Sequence, residues 1–134
     1  MPVSDWGPPI KFIHQLNYRA DGRGYLKSGH RHLFLLPAEG GTPRQLTDGP
    51  YHEGDPVWTP DGRALLFSAN RHEGGEYDPQ NSEVYQVTLA DGKITALTDR
   101  AGPDAEPAVS PDGKLVAYTG FDDHLQGYQV THLY

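Results

Sequence analysis

Serine hydroxyls are the first side chains in this sequence that could perform chemistry, since an activated serine is the nucleophile of many hydrolases. None of the five serines lies in the Gly-x-Ser-x-Gly sequence that exposes the nucleophile of an α/β-hydrolase. Ser110 precedes a Pro-Asp-Gly turn, where a hydroxyl usually bonds nearby backbone. We therefore predict no catalytic residue among the serines, which are Ser4, Ser28, Ser68, Ser82 and Ser110.

Two histidines have a spacing that could bind a metal. His30 and His32 precede an apolar run, and residues two apart in an extended chain point the same way, so their imidazoles could share an ion. Zinc sites need three or four ligands, and the sequence identifies no third one. His30 and His32 are therefore weak candidates that we interpret as polar residues at a strand entrance, and we predict no cofactor.

Carboxylates occur in a pattern that is repeated along the chain. Glu53 and Asp55 are followed 51 positions later by Asp104 and Glu106, and each pair lies just before a proline. Paired carboxylates can act as acid and base. Catalytic pairs are rarely duplicated in every repeat, so we predict that these acids instead satisfy backbone N–H groups where each repeat begins.

A second acidic group lies in or beside the polar segment 69–82. Its members could hold calcium through their oxygens, but they lack the alternating acids and the glycine of a calcium loop. We predict a solvated acidic loop that stands out from the body of the fold. The acids are Glu73, Glu76, Asp78 and Glu83.

A sequence repeat must position all of these side chains. Trp58-Thr59-Pro60-Asp61-Gly62 returns as Val109-Ser110-Pro111-Asp112-Gly113, and Asp112 lies 51 positions after Asp61. The same offset relates residues 33–69 to residues 84–120. A period of about 40 to 50 residues is typical of propellers and solenoids. The structural motif consists of Trp58, Pro60, Asp61, Gly62, Pro111, Asp112 and Gly113.

The central repeat predicts four antiparallel strands, as a propeller blade requires. These strands are Pro56–Trp58, Ala64–Ser68, Glu83–Leu89 and Ile94–Leu97. With 134 residues the chain holds about 2.6 repeats, fewer than the roughly 4 to 8 blades of a closed ring. We predict an all-β, partial β-propeller forming one domain, with a lead-in and the end of a first blade in 1–48, a complete blade in 49–99 and a partial blade in 100–134.

The outer repeats predict further strands. Residues 11–16 alternate apolar and polar side chains, which indicates a half-buried strand, and residues 33–36 form an apolar run typical of a strand buried on both faces. Residues 1–9 indicate an extended lead-in. The remaining predicted strands are 43–46, 107–109, 115–120 and the start of one in 128–134, where the chain stops in mid-strand.

Aromatic side chains recur in the same register, and we predict that they pack between blades. They are Phe34, Trp58, Phe67, Tyr85 and Tyr118. An incomplete stack exposes two apolar sheet faces. We therefore expect the chain to self-associate, with several copies completing a ring.

Charge and composition exclude several kinds of partner. The formal net charge of −7, without a cluster of Lys and Arg, argues against nucleic acid and anionic membranes. The sequence contains no run of about 18 apolar residues, so it predicts no bilayer span. Since there is no cysteine, we expect a reducing compartment, and the cytoplasm is the default location.

The blade motif carries a family resemblance. Gly40-Gly41 with Leu46-Thr47, followed by the segment Pro56–Gly62, resembles the repeat of TolB-type propellers. Residues 18–26, leading into His32-Leu33-Phe34 and 43–49, resemble the N-terminal propeller of the prolyl oligopeptidase family on its acylaminoacyl-peptidase branch, and they match interior blades. The third repeat departs from the motif with Val109 at the tryptophan position, and Ala90-Asp91-Gly92 keeps one glycine of the pair.

The resemblance implies a non-catalytic segment of a serine peptidase. A member of that family has an α/β-hydrolase domain, which this chain lacks, and its propeller forms a channel that limits substrates to short peptides. The missing blades, that domain and peptides would then be the partners, while this chain alone is not assigned as an enzyme. The alternative is a self-standing TolB-like module for protein–protein interaction. A sequence continuing into further blades and Gly-x-Ser-x-Gly would favour the peptidase.

Overall fold

Small antiparallel sheets follow one another in the computed structural model, which describes Gly7 and residues 10–134. Apart from Gly7, the predicted lead-in, which includes Ser4, lies outside the described residues. No helix of the described part is long and apolar enough to cross a membrane. The described strands are β1 (Arg19–Ala20), β2 (Gly24–Tyr25), β3 (Phe34–Leu35), β4 (Arg44–Gln45), β5 (Gly54–Trp58), β6 (Ala64–Ala69), β7 (Glu83–Thr88), β8 (Ile94–Ala96), β9 (Asp104–Val109), β10 (Val116–Gly120) and β11 (His132–Leu133).

The four-stranded sheet β5-β6-β7-β8 is the centre of the fold. β6 and β7 pair over six residues, from Ala64 opposite Thr88 to Ala69 opposite Glu83. Every residue of β6 is buried, because its apolar side chains are covered on both faces. The four antiparallel strands predicted for the central repeat are confirmed.

Pro-Asp-Gly turns connect the first two strands of the second and third repeats. In the second repeat Gly62 has a φ of 67°, a left-handed conformation that glycine adopts without a steric penalty. The Asp61 carboxylate accepts a hydrogen bond of 2.7 Å from Thr59 Oγ1. Asp112 accepts the equivalent bond of 2.6 Å from Ser110 Oγ. These bonds lower the pKa of Asp61 and of Asp112.

The outer repeats are less complete. Antiparallel β9, β10 and β11 form a three-stranded sheet, and β9 lies beside β5, β6 and β7. The first repeat contributes two separate hairpins, β1-β2 and β3-β4. The structure is thus all-β, with a complete central blade and partial neighbours, which confirms the predicted partial propeller.

Two strand predictions in the first repeat are wrong. Residues 11–16 form no strand and are exposed, because no neighbouring strand offers them hydrogen bonds. In the apolar run 33–36 only β3 is a strand, and its burial alternates. Leu33 is 8% exposed, whereas Phe34 is 56% and Leu36 55% exposed, since only one face has a sheet packed against it.

The hydrophobic core lies between the first and second repeats. Phe67 is fully buried and stacks on Tyr85, with 5.7 Å between ring centroids. Leu33 of the first repeat belongs to the same cluster. Packing between blades is therefore confirmed for these aromatics, but it is wrong for Phe34 and for Trp58, which is 51% exposed.

Candidate functional site

A cavity of about 680 Å³ lies where three parts of the chain meet. The N-terminal segment contributes His30 and Arg31, the entrance to β5 contributes Tyr51, His52 and Asp55, and the loop 70–82 forms the remaining wall. Sequence reasoning singled out His30 and Asp55 separately. The fold brings them to one concave surface.

The cationic wall of the cavity is built from His30, Arg31 and His52. The Arg31 backbone N–H donates to His52 Nδ1 at 3.1 Å, and the rings of His30 and His52 lie 4.9 Å apart between centroids. Partial burial lowers the pKa of His52, and the nearby charges of His30 and Arg31 lower it further. Nδ1 of His30 is buried and has no hydrogen-bond partner in the described part of the chain.

Beside this wall, a buried carboxylate binds an arginine and a histidine side chain. Glu53 is 3% exposed, forms an ion pair with Arg71 and bonds His32 Nδ1 at 3.0 Å. Arg71 in turn lies over the Tyr51 ring, 4.4 Å from its centroid. The prediction that Glu53 satisfies backbone groups is wrong, because its oxygens face side chains.

The metal candidates His30 and His32 have different neighbours. Their ring centroids are 6.4 Å apart, and His32 bonds Glu53 while His30 packs against His52. Across the residues that the structure describes, no three His, Asp or Glu side chains form a group that could hold a metal ion. The arrangement suits polar recognition rather than coordination.

The second acid of each repeated pair lies in a β-bulge. Asp55 and Glu106 both have a φ of 53°, a left-handed conformation at equivalent positions of β5 and β9. Asp55 Oδ2 accepts from Ser68 Oγ at 3.3 Å, and Glu106 Oε2 accepts from Thr119 Oγ1 at 3.0 Å. These carboxylates therefore connect the bulge to the side chains of the neighbouring strand. The prediction that they satisfy backbone N–H groups is wrong for Asp55 and Glu106.

Between the second and third repeats, two buried acids approach each other. Asp104 is fully buried and pairs with Arg100, whereas Glu83 is 1% exposed, accepts from Thr98 Oγ1 and lies 3.4 Å from His72 Nε2. Burial raises the pKa of Glu83 and outweighs the hydrogen bond from Thr98, which lowers it. The charge of Asp104 raises the pKa further. Placing Glu83 in a solvated loop is thus wrong.

The loop 70–82 folds on itself instead of projecting freely. Asn70 Nδ2 donates to the carbonyls of Gly75 at 3.1 Å and Asp78 at 2.7 Å. A Cβ at Gly75 would lie 2.5 Å from Asn70 Oδ1, so any other residue there would displace the Asn70 side chain from these hydrogen bonds. Glu76 accepts from the Leu16 backbone at 3.1 Å. The loop thereby joins the N-terminal segment and walls the cavity.

Three of the described serines, Ser68, Ser82 and Ser110, serve local structure. Ser68 and Ser110 donate to the carboxylates of Asp55 and Asp112, and Ser82 donates to the Asp104 carbonyl at 3.3 Å. A serine nucleophile needs a base within hydrogen-bond reach. The contacts of these serines are therefore those of turns and blade entrances.

Sequence reasoning missed Arg31, His52 and Arg71. Position 71 corresponds by the repeat to Asp122, so the offset of 51 gave no signal for Arg71. A signal did exist for His52, because it directly precedes the singled-out Glu53. The pairing of His30 with His52 depends on the folded N-terminal segment, which no repeat predicts.

Bladed architecture and Pro-Asp-Gly turns define this chain as part of a β-propeller of the TolB type. The solved structure of a putative TolB from Agrobacterium tumefaciens is similar, with a TM-score of 0.53 and 30% sequence identity. The match covers 66% of this chain and 29% of that one. TolB of the Tol-Pal system from Francisella tularensis is 28% identical over 124 residues, covering 87% of this chain and 26% of that protein.

The family model described as the dipeptidyl peptidase IV N-terminal region matches residues 23–123, and the chain belongs to this family. An uncharacterized peptidase, YuxL of Bacillus subtilis, is 32% identical over 116 residues, covering 65% of this chain and 18% of the relative. Dipeptidyl-peptidase 5 of Porphyromonas endodontalis is 35% identical over 79 residues, covering 58% of this chain and 11% of the relative. The resemblance to a peptidase propeller with TolB-type repeats is confirmed. The chain spans about a fifth of YuxL, and a small part of each relative.

Proposed function

We propose that this chain is a non-catalytic propeller segment of a serine peptidase, where it forms part of the channel wall that limits substrates to short peptides. The observation that carries the proposal is the family match over residues 23–123, which spans the complete central blade and most of its neighbours. Two of the similar proteins are peptidases by name.

Blades arranged around a central channel restrict passage by its width, so this role requires no particular reactive side chain. The contacts of Ser68, Ser82 and Ser110 agree with a supporting role, since their hydroxyls serve turns and blade entrances. An α/β-hydrolase domain of the parent protein would supply the serine, its histidine base and the acid that orients it.

The test begins with the mass of the native polypeptide in the source cell, detected by an antibody raised against this chain. We expect a band several times heavier than the chain, and labelling of that band by a serine-directed probe. The purified protein should then cleave short peptides and spare the same sequence inside a folded protein. A native band at the mass of the chain itself, or a heavy band that the probe does not label, would contradict the proposal.

The second candidate is a self-standing TolB-like module that binds other proteins through its loops. Its support is the similarity to a TolB structure and to TolB of the Tol-Pal system. A native band at the mass of this chain, together with a folded partner recovered by cross-linking in the cell, would favour this candidate. The same blot therefore separates the two functions.

We also propose that other blades, or in the isolated chain other copies, cover the exposed apolar faces. Leu36 is 55% exposed on the first repeat, while Leu115 is 71% and Leu133 75% exposed on the third. Light scattering of the isolated chain should show assemblies that grow with concentration, and a well-folded monomer at high concentration would contradict this. A location in the cytoplasm remains a prediction that cell fractionation tests.

A further inference from the structure

We propose that the cavity beside the second blade binds a carboxylate through Arg31, His30 and His52, and that a short peptide presents this group as its free C-terminus. The proposal uses the proposed function only in choosing a peptide as the carrier. The binding chemistry depends on the three side chains and on the cavity that they line.

The cationic wall is unusual in an acidic chain. The formal net charge is −7, yet four basic side chains line one concave surface of about 680 Å³, and one of them, His72, is paired with Glu83. Within the described residues, no ion pair joins the exposed Arg31 guanidinium to a carboxylate. The neighbouring Glu53 is already paired with His32 and Arg71. Arg31 therefore provides a positive charge that no ion pair among the described residues neutralises.

The donors of this wall are available to a ligand. His52 Nδ1 accepts the Arg31 backbone N–H at 3.1 Å, so the neutral ring carries its proton on Nε2 and can donate from there. His30 Nδ1 is buried without a partner among the described residues, which is costly unless a further group bonds it. A guanidinium offers a fork of N–H donors that matches the two oxygens of a carboxylate.

Acids on other parts of the cavity select the type of anion. Asp55, Glu73 and Glu76 line the same cavity, where Asp55 holds Ser68 and Glu76 holds the Leu16 backbone. Their charges repel a multiply charged anion such as phosphate. A peptide carries one carboxylate, and its remaining length is neutral or bears an ammonium group, so it suits a cavity with walls of both signs.

Binding must depend on pH in one direction. The pKa of His52 is lowered by burial and by the charges of His30 and Arg31, and a bound carboxylate would raise it again. By linkage, binding strengthens as the pH falls through the range where His52 takes up its proton and weakens as the pH rises. The charged groups that act on His52 are His30, Arg31, His32 and, with the opposite sign, Glu53.

The experiment compares two synthetic dipeptides on the 134-residue chain, N-acetyl-Ala-Ala with a free carboxylate and the same peptide with a C-terminal amide. Histidine proton resonances report binding and the pKa of His52 in one NMR titration. We expect the free acid to bind, to raise the pKa of His52, and to bind at least ~tenfold more tightly than the amide, since hydrogen bonds to charged groups are the stronger ones.

Variants assign the binding to the cationic wall. Arg31→Gln and His52→Gln should each weaken binding of the free acid by about tenfold or more. Arg63→Gln is the matched control, because Arg63 is exposed in the Pro-Asp-Gly turn and lies outside the cavity. Thermal unfolding of each variant verifies that the fold is retained.

Three results with the peptides and variants would overturn the proposal. They are equal binding of acid and amide, no binding of either peptide, and an equal effect of Arg31→Gln and Arg63→Gln. Inorganic phosphate binding as tightly as the free acid would also overturn it, because the acids of the cavity should disfavour that ion. These titrations use the isolated chain, so they can fail while the peptidase assignment holds, and the reverse is also possible.

Discussion

The two places where successive repeats meet share their backbone contacts and differ in their charges. We call the contact around Glu53 the first junction and the contact around Asp104 the second junction. Glu53 N donates to the Arg31 carbonyl at 3.0 Å, and Asp104 N donates to the Ser82 carbonyl at 2.7 Å. Positions 31 and 82, like 53 and 104, are 51 residues apart. The main chain therefore repeats faithfully across both junctions.

The side chains at the two junctions do not repeat. In the first junction Glu53 is paired with two groups that can carry positive charge, His32 and Arg71. In the second junction position 83 corresponds to His32, but it holds Glu83, and among the described residues the buried Asp104 forms an ion pair only with Arg100. The comparison teaches that repeated hydrogen bonds define the blade stack, while the charges buried in it can be exchanged.

Deleting a ring from the shared core should have the largest effect, and it separates the two junctions. Phe67 is fully buried beside the first junction, whereas its repeat equivalent, Tyr118, is only partly buried. Phe67→Ala should lower the free energy of unfolding by about 3 to 5 kcal/mol. Tyr118→Ala should cost less, because its surroundings are open. Urea unfolding measures both, and an equal loss would show that the two cores are equally packed.

The next effect comes from removing the acid of the first junction. Glu53→Ala leaves Arg71 and His32 without their buried partner, and it should lower the free energy of unfolding by roughly 3 kcal/mol. The control is Glu73→Ala, since Glu73 is exposed in the loop and should change stability by less than about 0.5 kcal/mol. Similar denaturation midpoints for the two variants would mean that the buried pairs of Glu53 contribute nothing net.

At the second junction, pH should matter through Glu83. Its pKa is raised in the folded state, first by burial and also by Asp104, so folding holds its proton more tightly than the unfolded chain does. The resulting loss in the free energy of unfolding is absent at low pH. It appears as the pH rises above the pKa of the unfolded state and is complete above the pKa of the folded state.

Glu83→Gln removes this cost while keeping a side chain that can bond Thr98. The variant should therefore gain stability relative to the unmodified protein as the pH rises from 4 toward 7, a range of about 3 units around the ordinary glutamate pKa. Glu73→Gln, on the exposed loop, is the control and should not reproduce this gain. A difference for Glu83→Gln that stays flat or reverses would contradict the raised pKa.

The sequence could predict the turns and strands that its repeat and its turn motifs encode. The offset of 51 located the Pro-Asp-Gly turns, and the apolar runs located β6 and β7, because these strands have neighbours on both sides. The alternation in residues 11–16 indicated a strand that does not form. A pattern states which side chains could be buried, and burial itself requires a sheet to pack against.

The cavity was beyond sequence reasoning for a related reason. His30 and Arg31 meet His52 only because the N-terminal segment folds back against the entrance to β5. Trp58 shows the same limit, since its motif position predicted packing between blades and the ring is 51% exposed. A repeat indicates which positions correspond, whereas the contacts and the exposure of a side chain depend on the residues that surround it in the fold.

The smallest expected effect tests what the repeats share. Asp61 and Asp112 accept matching bonds from Thr59 and Ser110, and these bonds lower the pKa of both carboxylates. An acid with a lowered folded pKa contributes stability above its unfolded pKa, and that stability is lost as the pH falls through the folded pKa. Asp61→Asn and Asp112→Asn should therefore each cause a small loss at neutral pH that disappears in acid, and the two losses should be equal by urea unfolding. Unequal losses would mean that the turns, like the junction charges, differ between repeats, because the same bonds would then stabilise one blade more than the other.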